Sequence, residues 1–250
     1  MHVIHGKATR FQNAVRLVRT TQLEVNAIAF NGLATTLALL TAEQKEMGAL
    51  VIDLGAGTTE YVVYSNTTIR HSGVLAVGGD HVSNDLAYGL KVPLSRAESL
   101  KREHGSAQVR AEAKGQVASL TSDIGQVIKT VNIEHLQKIM SLRLEEIFTI
   151  ILHELEKAGL ADFLRAGVFL TGGGSRVPGI DKLAERIFQM NVTHGHAMGL
   201  GGITSALDQP EFATAIGLVK FGAIEQNRRA ARGGVVATAK GFLERILQRA

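Results

Sequence analysis

Residues 49–59 read ALVIDLGAGTT, a continuous apolar run that ends in Asp53 and a glycine-rich turn. An apolar run without polar alternation is typical of a strand that is covered on both faces of its sheet. The two glycines let the backbone approach a ligand closely and direct several N–H groups the same way, which favours phosphate. Asp53 is suited to organise a metal-bound or attacking water, and Thr58 and Thr59 add hydroxyl donors. The turn is therefore a candidate phosphate site.

A second turn of the same kind occurs at residues 167–175, which read GVFLTGGGS. One such turn is weak evidence, because glycine after a strand often does no more than reverse the chain, and Asp53 would then act as a capping residue. Two turns in one chain, each leaving an apolar strand, are much stronger evidence for a bound nucleotide.

The rest of the chain alternates between predicted strands and helices, which favours a layered α/β fold. Further strands are expected at 3–4, 23–30, 60–65, 68–77 and near 192, and helices at 8–19, 32–40, 80–89, 133–157, 180–189 and 210–221. Asp80 and Ser95 are the expected N-caps of two helices, the second with Glu98 completing a capping box. Residues 105–130 are polar and predict a loop-rich, strand-poor insertion.

Glu98 and Lys101 lie three residues apart on one predicted helix face. Either this is a solvated helix with a capping box, or Glu98 accepts from ribose hydroxyls while Lys101 flanks a purine. The nine histidines are scattered without ligand spacing, so no protein metal site is predicted.

Composition narrows the class of protein. Of the 250 residues, 45% are apolar and 20% are charged, as in ordinary globular proteins. Without cysteine there are no disulfides or cysteine zinc sites, and the first five residues lack the features of a secretory signal. No run approaches the length of a membrane span. The net charge of +4 resides largely in the tail and tryptophan is absent, so a nucleic-acid platform is not expected.

The carboxyl-terminal tail, residues 227–250, is predicted to lie outside the α/β fold. Residues 227–238 predict a flexible basic linker, and residues 239–250 an amphipathic helix. Its apolar face is Phe242, Leu243, Ile246 and Leu247, flanked by the basic Arg245 and Arg249. The pattern favours an anchor at an anionic membrane surface, the alternative being docking on the chain's own core. One helix this short binds weakly, so firm attachment requires several copies side by side.

The order of these motifs resembles the actin-like ATPase superfamily, with its ribonuclease H-like fold. Within it the chain is most similar to the FtsA family of bacterial cell-division proteins, in four stretches: Met1-His2-Val3-Ile4, residues 29–34 (AFNGLA), 170–174 (LTGGG) and 213–218 (ATAIGL). The rivals are another actin-like scaffold of PilM or MreB type, or a sugar kinase or phosphatase of the same superfamily. Such an enzyme would need a substrate pocket with a catalytic aspartate, and none can be located in the sequence.

The resemblance implies a cofactor, ATP with Mg²⁺, held between two lobes. Asp53 would orient the hydrolytic water, and the terminal phosphates would contact Gly55, Gly57, Thr58 and Thr59. The adenosine would pack on Gly172, Gly173, Gly174 and Ser175, with Glu98 and Lys101 at the ribose and purine.

The resemblance also implies partners: filaments of like subunits, anionic inner-membrane lipids, and the C-terminal tail of FtsZ, contacted by the subdomain that bears Arg143 and Glu146. The protein would lie on the cytoplasmic side of the inner membrane at the division septum.

The implied fold is incomplete, because the family's first phosphate loop and specific insert have no counterpart here. The expected parts are a remnant of the first lobe with the interlobe helix (1–42), the nucleotide-binding subdomain (43–104 with 166–206), an outer subdomain (105–165), a return helix (207–226), the linker (227–238) and the membrane helix (239–250). Asn31 stands where several relatives carry a catalytic glutamate, and an amide cannot act as a general base. Enzymatic activity is left open, with weak ATP hydrolysis as the upper limit.

Overall fold

A five-stranded mixed sheet forms the centre of the molecule. The computed structural model describes residues 2–121, 127–199 and 207–229. The sheet has the order β3-β2-β1-β6-β7, and a separate hairpin pairs β4 with β5. The strands are β1 (Ala49–Leu54), β2 (Thr59–Ser65), β3 (Thr68–Leu75), β4 (Val117–Thr121), β5 (Val127–Asn132), β6 (Val168–Thr171) and β7 (Val192–His194). Because β6 runs parallel to β1, with Asp53 opposite Thr171, the ends of these two strands meet at one edge of the sheet.

The described residues form helices on both faces of this sheet, together with a first helix that has no buried residue. They are α1 (Ala8–Thr20), α2 (Asn31–Leu39), α3 (Ala42–Met47), α4 (Gly79–Leu90), α5 (Leu94–His104), α6 (Ile133–Lys157), α7 (Ile180–Phe188) and α8 (residues 213–229). Along β1, Leu50 and Ile52 belong to a core cluster with α4 to α7. Val51 belongs to a second cluster with α2 and α8. The two-sided burial that the apolar run predicts is therefore present.

Helix α6 has the bounds that its sequence predicts. The side chain of Asn132 caps it by accepting from the backbone N–H of His135 at 3.0 Å. The ring of Phe148, from its apolar stripe, meets Phe188 edge-on at 5.6 Å between centroids. Helix α6 is thereby fixed across α4, α5 and α7.

Two strand predictions are wrong in a common way. Residues 3–4 and 23–30 are irregular rather than β-strands, because within the described ranges no neighbouring strand pairs with them. The segment 105–130 is also more regular than expected, since it contributes β4 and the start of β5. Apolar Val117, Val127 and Ile128 are exposed on this hairpin, so the apolar–polar alternation that indicates a half-buried strand is broken.

The predicted N-caps of α4 and α5 are each displaced. Helix α4 begins one residue before Asp80, with Gly78 as N-cap. Helix α5 begins at Leu94 directly after Pro93, which leaves Ser95 inside the first turn without a capping hydrogen bond. Proline fixes its own φ and so sets the start of the helix.

Helix α8 continues to residue 229, so the first three residues of the predicted linker are helical. The remaining linker and the predicted membrane helix, with Phe242, Leu243, Arg245, Ile246, Leu247 and Arg249, lie outside the described residues. Of the helices in the described ranges, none has the length and hydropathy needed to cross a bilayer.

Candidate functional site

The two glycine-rich turns lie side by side at the edge where β1 and β6 end. A Cβ on Gly172 would lie 2.3 Å from Asp53 Oδ1 and 2.6 Å from the carbonyl oxygen of Leu54. A Cβ on Gly174 would lie 2.7 Å from Leu54 Cβ. Gly172 also has φ 80° and ψ 168°, a conformation essentially restricted to glycine. The second turn therefore packs on the first without room for a side chain.

The first turn also holds the start of α4. The carbonyl oxygens of Gly55 and Ala56 accept from the backbone N–H groups of Gly79 and Asp80 at 2.9 and 2.8 Å. A Cβ on Gly78 would lie 2.5 Å from Ala56 O. The close approach of two glycine-containing segments explains why the residues before α4 are small, and it makes the turn and the helix one unit.

A cavity of about 430 Å³ opens between these segments. Backbone of the two turns and of the start of α4 forms one part of its wall, charged side chains of α5 another, and apolar side chains of α6 a third. The lining residues that carry the argument are Gly55, Gly79, Glu98, Lys101, Arg102, Met140, Leu144, Gly173, Gly174 and Arg176. This mixture of close-approaching backbone, a few convergent charges and an apolar wall is characteristic of sites for small organic ligands.

Glu98 and Lys101 form a hydrogen-bonded cluster in that wall. Lys101 Nζ lies 2.6 Å from Glu98 Oε2 and donates to Gly79 O at 3.0 Å. Ser83 Oγ of α4 donates to the same carboxylate at 2.5 Å. Burial raises the pKa of Glu98, but hydrogen bonds from Lys101 and Ser83 outweigh it and leave the pKa below its ordinary value. Glu98 is thus an ionised acceptor beside a cation at the cavity wall, rather than a helix cap.

Asp53 lies behind the cavity wall and not in its lining. Its Oδ2 accepts from the hydroxyls of Thr214 at 3.1 Å and Thr35 at 3.2 Å. Burial raises the pKa of Asp53, while the two hydroxyl bonds act in the opposite direction.

Glu60 faces Asp53 across the β1–β2 ladder and accepts from Asn31 Nδ2 at 3.3 Å. Burial and the nearby Asp53 raise the pKa of Glu60 as well.

Two of the side-chain hydroxyls predicted to contact the nucleotide form hydrogen bonds within the protein instead. Thr59 Oγ1 donates to Val77 O at 2.8 Å, and Ser175 Oγ donates to Gly172 O at 2.7 Å. Both side chains are buried and stabilise their loops instead of lining the cavity. Gly57 and Thr58 form the exposed tip of the first turn, outside the lining.

Arg176 and Glu211 are cavity residues that the sequence does not reveal. The guanidinium of Arg176 hydrogen bonds to both Glu211 and Gln209. The hydrogen bond from Arg176 to the Glu211 carboxylate lowers the pKa of Glu211. The two partners are 35 residues apart, and no local pattern connects them. Gly78, Gly79 and Arg102 are further lining residues, of which only the glycine pair stands out in the sequence.

Arg143 and Glu146 lie on α6. The guanidinium of Arg143 bridges to Asp85 of α4 through Nε at 2.5 Å and Nη2 at 3.0 Å. Its Nη1 also donates to Glu146 at 2.5 Å. The predicted partner-binding pair is therefore part of an ion network between two helices, and the Arg143 side chain is about one quarter exposed.

Comparison with known proteins decides the family. The sequence profile described as "Cell division protein FtsA" matches residues 50–217, which is more than half of the chain. The chain belongs to the FtsA family. It is 34% identical to the cell division protein FtsA of Neisseria meningitidis serogroup B over 98% of this chain and 62% of that protein. With FtsA of Pseudomonas aeruginosa the identity is 32%, over 91% of this chain and 54% of the relative. The chain thus spans little more than half the length of these FtsA relatives, in agreement with the expectation that it corresponds to part of such a protein.

Solved structures support the fold expected of an FtsA protein. MreB5 of Spiroplasma citri bound to ADP matches with a TM-score of 0.71 and 19% identity, over 90% of this chain and 68% of that one. The PilM–PilN type IV pilus biogenesis complex matches with a TM-score of 0.60 and 19% identity, over 85% and 57% of the two chains. At these identities the likeness concerns the fold alone. The actin-like ATPase fold that the family resemblance implies is confirmed.

Proposed function

We propose that this FtsA-family chain binds ATP with Mg²⁺ in the cavity between the two glycine-rich turns, and that it attaches FtsZ filaments to the cytoplasmic membrane during cell division. The observation that carries the proposal is the convergence of both turns on one cavity whose wall also contains Glu98 and Lys101. The fold match to MreB5, whose structure was solved with ADP, supports a nucleotide as the ligand.

The residues present fit such a ligand. Gly55, Gly173 and Gly174 bring bare backbone to the cavity, where a phosphate or a nucleoside can approach closely. The ionised Glu98 is an acceptor for sugar hydroxyls, and Lys101 supplies a cation beside it. Mg²⁺ is held by one or two carboxylates together with phosphates and waters; Asp53 lies behind the cavity wall rather than in its lining, so it would reach such an ion only through an intervening water.

Bound ATP would supply the phosphoanhydride bond that is hydrolysed. The residues of this chain next to Asp53 limit how fast that hydrolysis can proceed. Asp53 is held by two threonine hydroxyls, which fixes its carboxylate for orienting a water. Asn31 is an amide that donates to Glu60, and so it cannot take the proton of that water. We therefore propose a nucleotide-binding protein with at most weak ATP hydrolysis.

Nucleotide binding is tested with a matched pair of double variants. Glu98→Gln with Lys101→Gln alters the cavity pair, whereas Lys182→Gln with Glu185→Gln removes a similar pair on α7 whose atoms lie 2.8 Å apart. Loss of charged hydrogen bonds predicts a Kd for ATP raised about 10-fold or more by the first change only, measured by titration calorimetry. Equal affinities for ATP in the two variants, or no binding by the parent chain, would refute the site.

The attachment roles rest on the family and on the sequence of the tail. Partner binding is proposed for the α6 surface with Arg143 and Glu146, and self-association for the actin-like fold. Arg143→Glu should weaken capture of a peptide with the FtsZ C-terminal sequence, and Arg186→Glu, another cation pairing with a glutamate of α6, is the control. Deleting residues 239–250 should release the chain from anionic vesicles, and unchanged binding would reject the anchor.

A further inference from the structure

Ser83 of α4 is a buried polar residue directly behind the wall of the cavity. It is only 3% exposed and is not part of the lining, although Gly79 and Val82 of the same helix are. A buried hydroxyl group needs hydrogen-bond partners, because burial without them costs free energy. The side-chain partners of Ser83 are Glu98 and Lys101, the two charged residues of α5 that form part of the cavity wall.

The hydrogen bonds of Ser83 have a fixed direction. A serine hydroxyl has one proton to donate and two lone pairs that accept. Ser83 Oγ accepts from Lys101 Nζ at 2.9 Å, and it lies 2.5 Å from Glu98 Oε2 and 3.2 Å from Gly79 O. The carboxylate is both the nearer acceptor and the charged one, so the single proton is donated to Glu98.

The three N–H groups of the Lys101 ammonium are all engaged by the protein. Lys101 Nζ lies 2.6 Å from Glu98 Oε2, 2.9 Å from Ser83 Oγ and 3.0 Å from Gly79 O. An ammonium group has three donors, so these three partners account for all of them. Lys101 therefore acts on the cavity through the Glu98 carboxylate rather than through a hydrogen bond of its own to a ligand.

The two oxygens of the Glu98 carboxylate differ in their surroundings. Ser83 and Lys101 both contact Oε2, and within the part of the chain that the structure describes no hydrogen bond is made to Oε1. The bonds at Oε2 join α4 to α5, so the orientation of Glu98 is set by the described residues themselves. An ionised carboxylate oxygen only accepts hydrogen bonds, and the paired hydroxyls of a ribose are donors that fit it.

We propose that Ser83 and Lys101 are positioning residues that orient Glu98, and that the oriented Oε1 makes the cavity selective for nucleotides with ribose hydroxyls. This inference rests on the nucleotide binding proposed above, and it adds the sugar as the part of the ligand that is read. A glutamate side chain that is free to rotate loses conformational entropy when a ligand fixes it. The bonds from Ser83 and Lys101 remove that cost before the ligand arrives.

The test compares two nucleotides and two serines in the full chain. Titration calorimetry gives the Kd of ATP and of 2′,3′-dideoxy-ATP, each with Mg²⁺, for the parent, Ser83→Ala and Ser99→Ala. Ser99 is the matched control because its Oγ also bonds the carbonyl four residues earlier, Ser95 O at 3.2 Å, but it lies on the exposed side of α5.

The parent should bind ATP about 10-fold or more tightly than the dideoxy nucleotide, since a hydrogen bond to a charged group is lost with the hydroxyls. Ser83→Ala should weaken ATP binding about 2- to 10-fold, which is the cost of ordering one side chain, and dideoxy-ATP binding by less than about 2-fold. Ser99→Ala should change neither Kd.

The ratio of the two Kd values separates positioning from a merely structural role. If Ser83→Ala weakens both nucleotides alike and leaves the parent's ratio unchanged, the proposal is overturned. Ser83→Thr keeps the hydroxyl and should restore the ratio, even where its extra methyl group lowers both affinities. A ratio as low as that of Ser83→Ala would show that the hydroxyl is not the cause.

The parent chain separates this inference from the proposed function. Equal affinities of the parent for ATP and dideoxy-ATP would refute the selectivity for the sugar and leave nucleotide binding intact. If the parent binds neither nucleotide, the proposed site is refuted, and the role of Ser83 with it.

A second measurement tests whether Ser83 acts through Glu98. In a Glu98→Ala background the ratio should be near one, and adding Ser83→Ala should change it by less than about 2-fold, because residues of one hydrogen-bond network have non-additive effects. If Ser83→Ala weakens ATP binding in this background as strongly as in the parent, Ser83 acts by another route and the proposal is overturned.

Discussion

Replacing Gly172 by alanine tests whether the second turn is built onto the first. Its φ of 80° with ψ of 168° is a backbone conformation that costs a non-glycine residue about 1–3 kcal/mol. The added Cβ would also lie 2.6 Å from the Leu54 carbonyl oxygen, which belongs to the central strand and cannot turn aside. Such overpacking costs a further ~1–3 kcal/mol, so Gly172→Ala should lower the free energy of unfolding by about 4 kcal/mol.

The control is Gly57→Ala in the first turn. A Cβ there meets nothing within 4 Å, so the change should alter stability by less than about 1 kcal/mol. Thermal unfolding monitored by circular dichroism should place the Tm of Gly172→Ala roughly 8–16 °C below that of Gly57→Ala, given about 2–4 °C per kcal/mol for a chain of this size. If the two melt within about 2 °C of each other, the packing of Gly172 on Leu54 is refuted.

Three other changes have defined outcomes. Glu60→Gln should raise the Tm near pH 7. Burial raises the pKa of the Glu60 carboxyl in the folded protein, so the folded state loses stability as the pH rises through that raised pKa and the carboxyl ionises, whereas glutamine does not ionise. The gain over the parent should shrink toward pH ~4, where the unfolded carboxyl is also protonated, and a gain independent of pH would argue against this cause. Phe148→Ala empties a fully buried position against Phe188 and should cost about 3–5 kcal/mol in urea unfolding, whereas a loss below ~1 kcal/mol would contradict the packing. Thr41→Ala removes the capping box of α3 and should cost about 1 kcal/mol, with Thr67→Ala at an exposed turn as its comparison.

The central part of the fold could be predicted from sequence because its signals are local. An apolar run specifies β1, and the bounds of α6 result from its three-and-four repeat and the capping side chain of Asn132. The same reasoning fails for residues 23–30. Alternation describes a strand only when another strand supplies its hydrogen bonds, and no periodicity reports whether that neighbour exists.

The candidate site likewise has a part that could be predicted from local sequence and a part that could not. Glycines at the ends of two parallel strands predict a common edge, and there Gly55, Gly173 and Gly174 do line one cavity. The role of the Ser175 hydroxyl could not be predicted in this way. The sequence shows that this side chain can donate a hydrogen bond, but not that a carbonyl oxygen of its own loop accepts it. The Arg176–Glu211 pair joins residues far apart in the chain, so tertiary packing alone creates it.

Helix α4 connects two sites that would otherwise be independent. Ser83, which bonds the cavity carboxylate of Glu98, and Asp85, which bonds Arg143, are two residues apart on this helix. Its first turn is fastened to the carbonyls of Gly55 and Ala56. A change in the position of α4 would therefore disturb both contacts together, since this one helix carries a residue of each.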